Sequence, residues 1–255
     1  MNFFDSHAHY NDERFEQDWN EIINDIYNDG ITKVVCAGYN LKQSKKAVDF
    51  SNKFHFLYAT CGISPNDIED FVNTSLEKIE ELANNPKVVA IGEIGLDYYW
   101  NKENKENQKE LFIKQIEIAN KLEKPIVIHT REAVVDTIEI LKKHMVKKKG
   151  IFHCCPLNQE LIKEALKLGY NISFSGNITF KNAKAESCIS LVPLDRILIE
   201  TDSPYLSPEP VRGKRNDSRN VKLVAQKIAE IKGVTLEEIA RITYENANKV
   251  FEIKD

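Results

Sequence analysis

Asn2-Phe3-Phe4-Asp5-Ser6-His7-Ala8-His9-Tyr10 is the stretch on which the reading of this chain turns. A short apolar run enters two histidines separated by one alanine. In a β-strand that runs into a loop, side chains two apart point to the same side, so His7 and His9 present two imidazoles toward one point. Imidazole is the commonest neutral metal ligand, and a convergent pair is half a site. The pattern gains meaning from where the other histidines and carboxylates fall.

Outward from this stretch, strand-like and helix-like segments alternate. Strands are predicted over residues 2–5, 32–37, 56–61, 87–91, 126–129, 151–153, 170–174 and 196–200. Helical periodicity occupies residues 15–28, 41–52, 75–84, a long segment opened by the polar stretch 101–107, and then 133–144, 160–168, 183–191, 221–232 and 235–251. Gly30, Gly169 and Gly233 close helices, and Thr235 with Glu238 makes a capping box. The strands are short and mostly apolar on both faces, as a parallel sheet requires. Eight strands, most followed by a helix, predict a single-domain α/β protein over residues 1–255, a (β/α)8 TIM barrel rather than an open sheet.

A chain of 255 residues, 42% hydrophobic and 29% charged, reads as soluble and globular. No apolar run reaches the length of a membrane-spanning helix and no signal peptide is visible, so the expected location is the cytoplasm. The five cysteines are odd in number and scattered, mostly in apolar runs, which reads as reduced thiols. Cys154 and Cys155 have no second cysteine pair at zinc-ligand spacing and read as wall residues. The lysines at 142, 143 and 147–149 read as a solvated helix end. A net charge of −4 supplies no global attraction for nucleic acid, so a polyanionic substrate needs a local cationic patch or bound metal.

Active sites of (β/α)8 barrels sit at the C-terminal ends of the strands. Four of the six histidines fall there: His7 and His9 after the first strand, His129 after the fifth, His153 after the sixth. Glu93 follows the fourth strand and Asp202 the eighth. His55 and His144 fall elsewhere and receive no role. Each residue alone has an ordinary structural explanation, but together they are four imidazoles and two carboxylates aimed at one end of one barrel. Six candidates are enough for two divalent ions bridged by a carboxylate, and the mixed nitrogen and oxygen donors suit zinc or manganese better than magnesium.

The chain resembles the TatD-type deoxyribonucleases, a branch of the metal-dependent amidohydrolase superfamily. The resemblance rests on Phe4-Asp5-Ser6-His7-Ala8-His9, Gly92-Glu93-Ile94-Gly95-Leu96-Asp97-Tyr98, Ile128-His129-Thr130-Arg131-Glu132-Ala133, Phe152-His153-Cys154, Ser173-Phe174-Ser175-Gly176, Glu200-Thr201-Asp202-Ser203-Pro204-Tyr205-Leu206 and Arg212-Gly213-Lys214. It implies that His7, His9, Glu93, His129, His153 and Asp202 hold two divalent ions. Glu93 would bridge them, with His7, His9 and Asp202 leaning to one ion and His129 and His153 to the other. It further implies hydrolysis of phosphodiester bonds in DNA, typically from the 3′ end. Asp202 is the expected proton acceptor, and Arg131, Arg212 and Lys214 the expected phosphate contacts. Tyr98, Tyr99 and Trp100 would stack on bases of a single strand or pack as an aromatic lid. No obligate protein partner is evident.

Two positions depart from the family pattern. Ser64 stands where a histidine is usual, and Cys154-Cys155-Pro156-Leu157 replaces an aromatic, a serine and a glycine after His153. The departures keep open a rival activity on a small amide, lactone or aminoacyl ester. A non-catalytic barrel is the other rival, disfavoured because buried unpaired histidine and aspartate are costly without a role.

Overall fold

Eight strands hydrogen-bond in chain order, β1 to β8, with every pairing parallel. The computed structural model describes residues 1–70, 73–100 and 102–254. The strands are β1 (Phe3–Ala8), β2 (Ile31–Ala37), β3 (Leu57–Cys61), β4 (Val88–Asp97), β5 (Ile126–Arg131), β6 (Gly150–Phe152), β7 (Asn171–Phe174) and β8 (Ile197–Ile199). Between and after them run α1 (Trp19–Asn28), α2 (Leu41–Lys53), α3 (Asn73–Ala83), α4 (Lys105–Lys121), α5 (Val134–Lys143), α6 (Gln159–Lys167), α7 (Ala185–Ile189), α8 (Val221–Lys232) and α9 (Leu236–Val250). The predicted barrel is therefore present. Its seam narrows at the C-terminal end, where Ala8 bridges Ser203 and the Asp202 N–H donates to the His7 carbonyl at 2.9 Å.

The helices cover the sheet with the faces their sequences dictate. Ile22, Ile23 and Ile26 of α1 are buried, and Asn40, Asn158 and Thr235 cap α2, α6 and α9 by accepting from a backbone N–H three residues on. Phe251, at the end of α9, packs with Phe4, Val89 and Val127 in a second cluster of buried side chains. Buried apolar side chains thus fill the barrel below the strand ends, and the polar cluster lies above them.

Four boundaries differ from expectation by three residues or more. β1, expected to end at Asp5, runs to Ala8, so His7 lies within the strand. The helix predicted from Phe15 is split: Asp12 caps a 3-10 turn at Glu13–Phe15, and α1 begins only at Trp19. Asn101, expected to open the long helix, lies outside the described residues, and α4 starts at Lys105. β4 runs six residues beyond Ile91, because Gly92 and Gly95 do not end it. The pairing with β5 slips between Ile91 and Ile94, a bulge, and Glu93 sits within it. Gly95 has φ +139°, and a Cβ there would stand 2.0 Å from the His129 carbonyl oxygen, so only glycine lets β4 continue this close to β5.

The lysines at the end of α5 are engaged at the surface: Lys142 pairs with Glu164 at 2.6 Å and Lys148 with Glu252 at 2.6 Å. All five cysteines are free thiols. Among the described residues no helix is long and apolar enough to cross a membrane.

Candidate metal centre

The mouth of the barrel gathers all six predicted donors. His7 lies in β1 and His9 just beyond its end, Glu93 lies in the β4 bulge, His129 is near the end of β5, and His153 and Asp202 follow β6 and β8. His7 and His9 bring their Nε2 atoms to 3.1 Å, and His129 Nδ1 lies 3.3 Å from His153 Nε2. The Glu93 carboxylate stands between the two pairs. Its Oε2 is 3.5 Å from His7 Nε2 and 3.8 Å from His9 Nε2, while its Oε1 is 3.2 Å from His129 Nδ1 and 3.6 Å from His153 Nε2. Asp202 joins the first pair, with Oδ1 3.3 Å from His9 Nε2 and 3.7 Å from His7 Nε2. The His7 and His153 rings stack at 4.0 Å, which links the two halves.

The tautomers show why this set fits a cation. His9 Nδ1 lies 3.2 Å from the Ala37 carbonyl and can only donate to it, so in the neutral ring Nε2 carries a lone pair. His129 donates through Nε2 to Asp97 Oδ2 at 2.9 Å, so its Nδ1 carries one too. Both lone pairs then face carboxylate oxygens at 3.2–3.3 Å. Such contacts repel unless a proton or a metal ion lies between them. The same tension appears in the acidities. Burial opposes charge on Glu93, yet the neighbouring imidazoles more than offset it and hold the carboxyl well below its usual range. Burial likewise pulls His153 down, but Glu93 and Glu200 push it well above the usual imidazole value. Asp202 is held low against burial, chiefly by His9. His7 goes the other way, lowered by burial and by His153. Three triads of this cluster have donor atoms all within 4.8 Å of one another, so it is able to hold metal.

Supporting carboxylates were not singled out by the sequence reading. Asp97 orients His129. Glu200, fully buried, accepts from the Cys154 N–H at 2.6 Å and brings Oε1 within 3.4 Å of His153 Nδ1, without hydrogen-bond alignment. Asp5 ties β1 to the end of β8 through the Thr201 N–H and hydroxyl and the Ser218 hydroxyl, and burial pushes its carboxyl up to about 7. All three lie in the quoted motifs. Their signal is a carboxylate two positions from, or four after, a ligand residue.

Above the donors opens a cavity of about 700 Å³, walled by Glu93, His129, His153 and Asp202 and by Ser64, Asp67, Trp100, Arg131, Cys154 and Tyr205. Of the six side chains expected at the substrate, Arg131 and Trp100 are in this wall, and Tyr98, Tyr99, Arg212 and Lys214 are not. Tyr98 is buried, and its hydroxyl donates to Asp136 at 2.6 Å, outside the cavity; the turn after β4 sends Trp100 to the wall instead. Arg212 and Lys214 are exposed on the loop after β8 and are not in the wall; the Arg212 guanidinium lies 3.7 Å over the Phe180 ring. Ser64 is in the wall and donates to Asp67 at 3.1 Å.

Fold and donors together define a metal-dependent hydrolase of the β/α-barrel class. The chain belongs to the family described as TatD related DNase, whose profile matches residues 4–252. It is 43% identical over 252 residues to the uncharacterized metal-dependent hydrolase YabD of Bacillus subtilis, covering 98% of this chain and 99% of that one. It is 44% identical over 196 residues to the uncharacterized metal-dependent hydrolase YcfH of Escherichia coli K12, covering 76% and 73%. Among solved structures, the TatD homolog YJJV of Escherichia coli K12 superposes with a TM-score of 0.94 at 25% identity, covering 99% of this chain and 98% of that one.

Proposed function

We propose that this chain is a divalent-metal-dependent phosphodiesterase that removes nucleotides from the 3′ end of single-stranded DNA. The observation that carries the reading is the placement of Glu93, whose two oxygens face two different groups of imidazoles. One ion would be held by His7, His9 and Asp202, a second by His129 and His153, with Glu93 shared. Bound there, two ions, zinc or manganese by the donor set, supply Lewis-acid polarisation of a phosphoryl oxygen and acidification of water.

The chain's own groups do the rest. Asp202, kept ionised and on the cavity wall, accepts the proton of the attacking water. The water oxygen bonds to phosphorus, the P–O3′ bond breaks, and the leaving 3′ oxygen takes a proton from solvent water, while Asp202 returns its proton to solvent. Arg131 places the one cationic side chain of the described wall beside the donors, where it balances charge on the non-bridging oxygens. The family and the donor set support phosphodiester chemistry with DNA as the partner, and the proposed setting is the cytoplasm.

One observation favours the second reading, hydrolysis of a small amide or ester. Asp67, bonded to Ser64 and Asn40, puts a carboxylate in the wall, which repels a phosphate chain and attracts a substrate amine. A paired assay separates the two. Protein reloaded with manganese or zinc shortens 3′-end-labelled single-stranded DNA if the first reading holds. Intact DNA, with turnover of an aminoacyl ester or lactone, would overturn it in favour of the second.

A further inference from the structure

Arg131 lies over the Tyr99 ring, with its guanidinium carbon 3.8 Å from the ring centroid and 5.5 Å from that of Trp100. Tyr99 and Trp100 meet edge to face at 4.7 Å. Both aromatics are unusually open, Tyr99 43% and Trp100 65% exposed. Exposed large aromatic surface on a folded protein costs solvation and marks binding surfaces when it borders a cavity. This group does border one, since Trp100 and Arg131 form wall next to His129. Its backbone is fixed: Asp97 Oδ1 accepts from the N–H of Tyr99 at 2.9 Å and of Trp100 at 3.0 Å, while its Oδ2 holds His129. The aromatic turn and the metal-facing imidazole are therefore registered by one carboxylate.

We infer that Trp100, Tyr99 and Arg131 form a nucleobase platform that holds the last nucleotide of the single strand against the cavity wall. The inference rests on the phosphodiesterase reading. A base has an apolar π-face that fits the open indole, and the neighbouring guanidinium serves the phosphate it is attached to. Every base offers such a face, so the platform tolerates sequence. The cavity's volume is that of a small-molecule site, suited to one nucleotide and not to a duplex.

The chain has two tryptophans, and Trp19 packs against Phe50 on the outside of the barrel. A Trp19→Phe protein therefore reports on Trp100 alone. The metal-loaded variant is titrated with a cleavage-resistant phosphorothioate oligothymidylate and with an abasic strand of equal length. Base stacking quenches the Trp100 emission, and the base-bearing strand binds about 5- to 100-fold more tightly than the abasic one. Trp100→Leu raises KM for single-stranded DNA by a similar factor and leaves kcat within about twofold. Arg131→Lys, which keeps the charge and loses the planar guanidinium over Tyr99, weakens the base-bearing strand and leaves the abasic strand near its wild-type affinity. Equal binding of the two strands with silent Trp100 emission, while DNA ends are still cut, overturns the platform and leaves the phosphodiesterase standing. Failure to bind or cut either strand overturns the phosphodiesterase reading as well.

Discussion

Asp97 accepts a hydrogen bond from Nε2 of His129 at 2.9 Å, which turns the Nδ1 lone pair of that ring toward Glu93. His129 is thus the one histidine of the four that faces the cluster through Nδ1, because a buried carboxylate occupies its other nitrogen. Such partners fix ring orientation and raise ligand basicity, and losing one costs about 10- to 100-fold in metal affinity. Asp97→Ala is expected to weaken one of two metal-binding events by that factor, read by titration of the apoprotein. Unchanged affinity would show that packing alone orients the ring.

Glu93 yields a stoichiometry test. If its carboxylate is shared, Glu93→Gln disturbs both ions, whereas His153→Ala disturbs one. After dialysis against trace zinc, the wild type is expected to retain two ions per chain, His153→Ala about one, and Glu93→Gln fewer than His153→Ala. Identical retention by the two variants would place Glu93 on a single ion.

How far the site was legible depends on where its residues stand. The six donors stand in or just after strands whose apolar runs are easily read, so barrel topology alone carries them to one mouth. Glu93 is legible as a strand-end carboxylate although β4 continues past it to Asp97, since the two glycines that look like breakers flank a bulge that keeps the strand going. Asp97 and Glu200 carry only a spacing signal, four after Glu93 and two before Asp202, and that spacing does not say which carboxylate turns toward an imidazole. Tyr98 and Trp100 were indistinguishable for a different reason. Which of three consecutive aromatics faces the cavity is set by the turn that Asp97 caps, a geometry with no period to read. Arg212 and Lys214 lie on a long irregular loop, whose course no periodicity fixes.

Asp202 separates ligation from proton transfer. An asparagine at 202 retains an oxygen donor but cannot accept the water's proton. Asp202→Asn is expected to keep most of its metal and lose about 10²- to 10⁴-fold in kcat, while Asp202→Ala loses metal as well. The checks are metal content and the rate on single-stranded DNA, measured on the same samples. Full activity in the asparagine variant would remove Asp202 as the base.

Tyr98 gives a test of stability instead of activity. Its hydroxyl and the Lys109 ammonium both reach Asp136 Oδ2, at 2.6 and 2.9 Å, and in that order they hold the carboxyl below its usual range. The group joins α4, α5 and the turn after β4. A hydrogen bond to a charged group contributes about 1.5–3 kcal/mol, and partial exposure reduces this to about 1 kcal/mol here. Tyr98→Phe is therefore expected to lower Tm by about 2–4 °C at pH 7 and to leave kcat unchanged. The sign of the pH dependence follows from the depressed carboxyl. Its stabilisation is present above the unfolded carboxylate value of about 3.9 and is lost as pH falls through the lower folded value. The difference in urea midpoint between wild type and Tyr98→Phe should therefore shrink from pH 7 to pH 3. A difference that persists at pH 3 would mean that Tyr98 acts through ring packing, and a fall in kcat would return it to the substrate path.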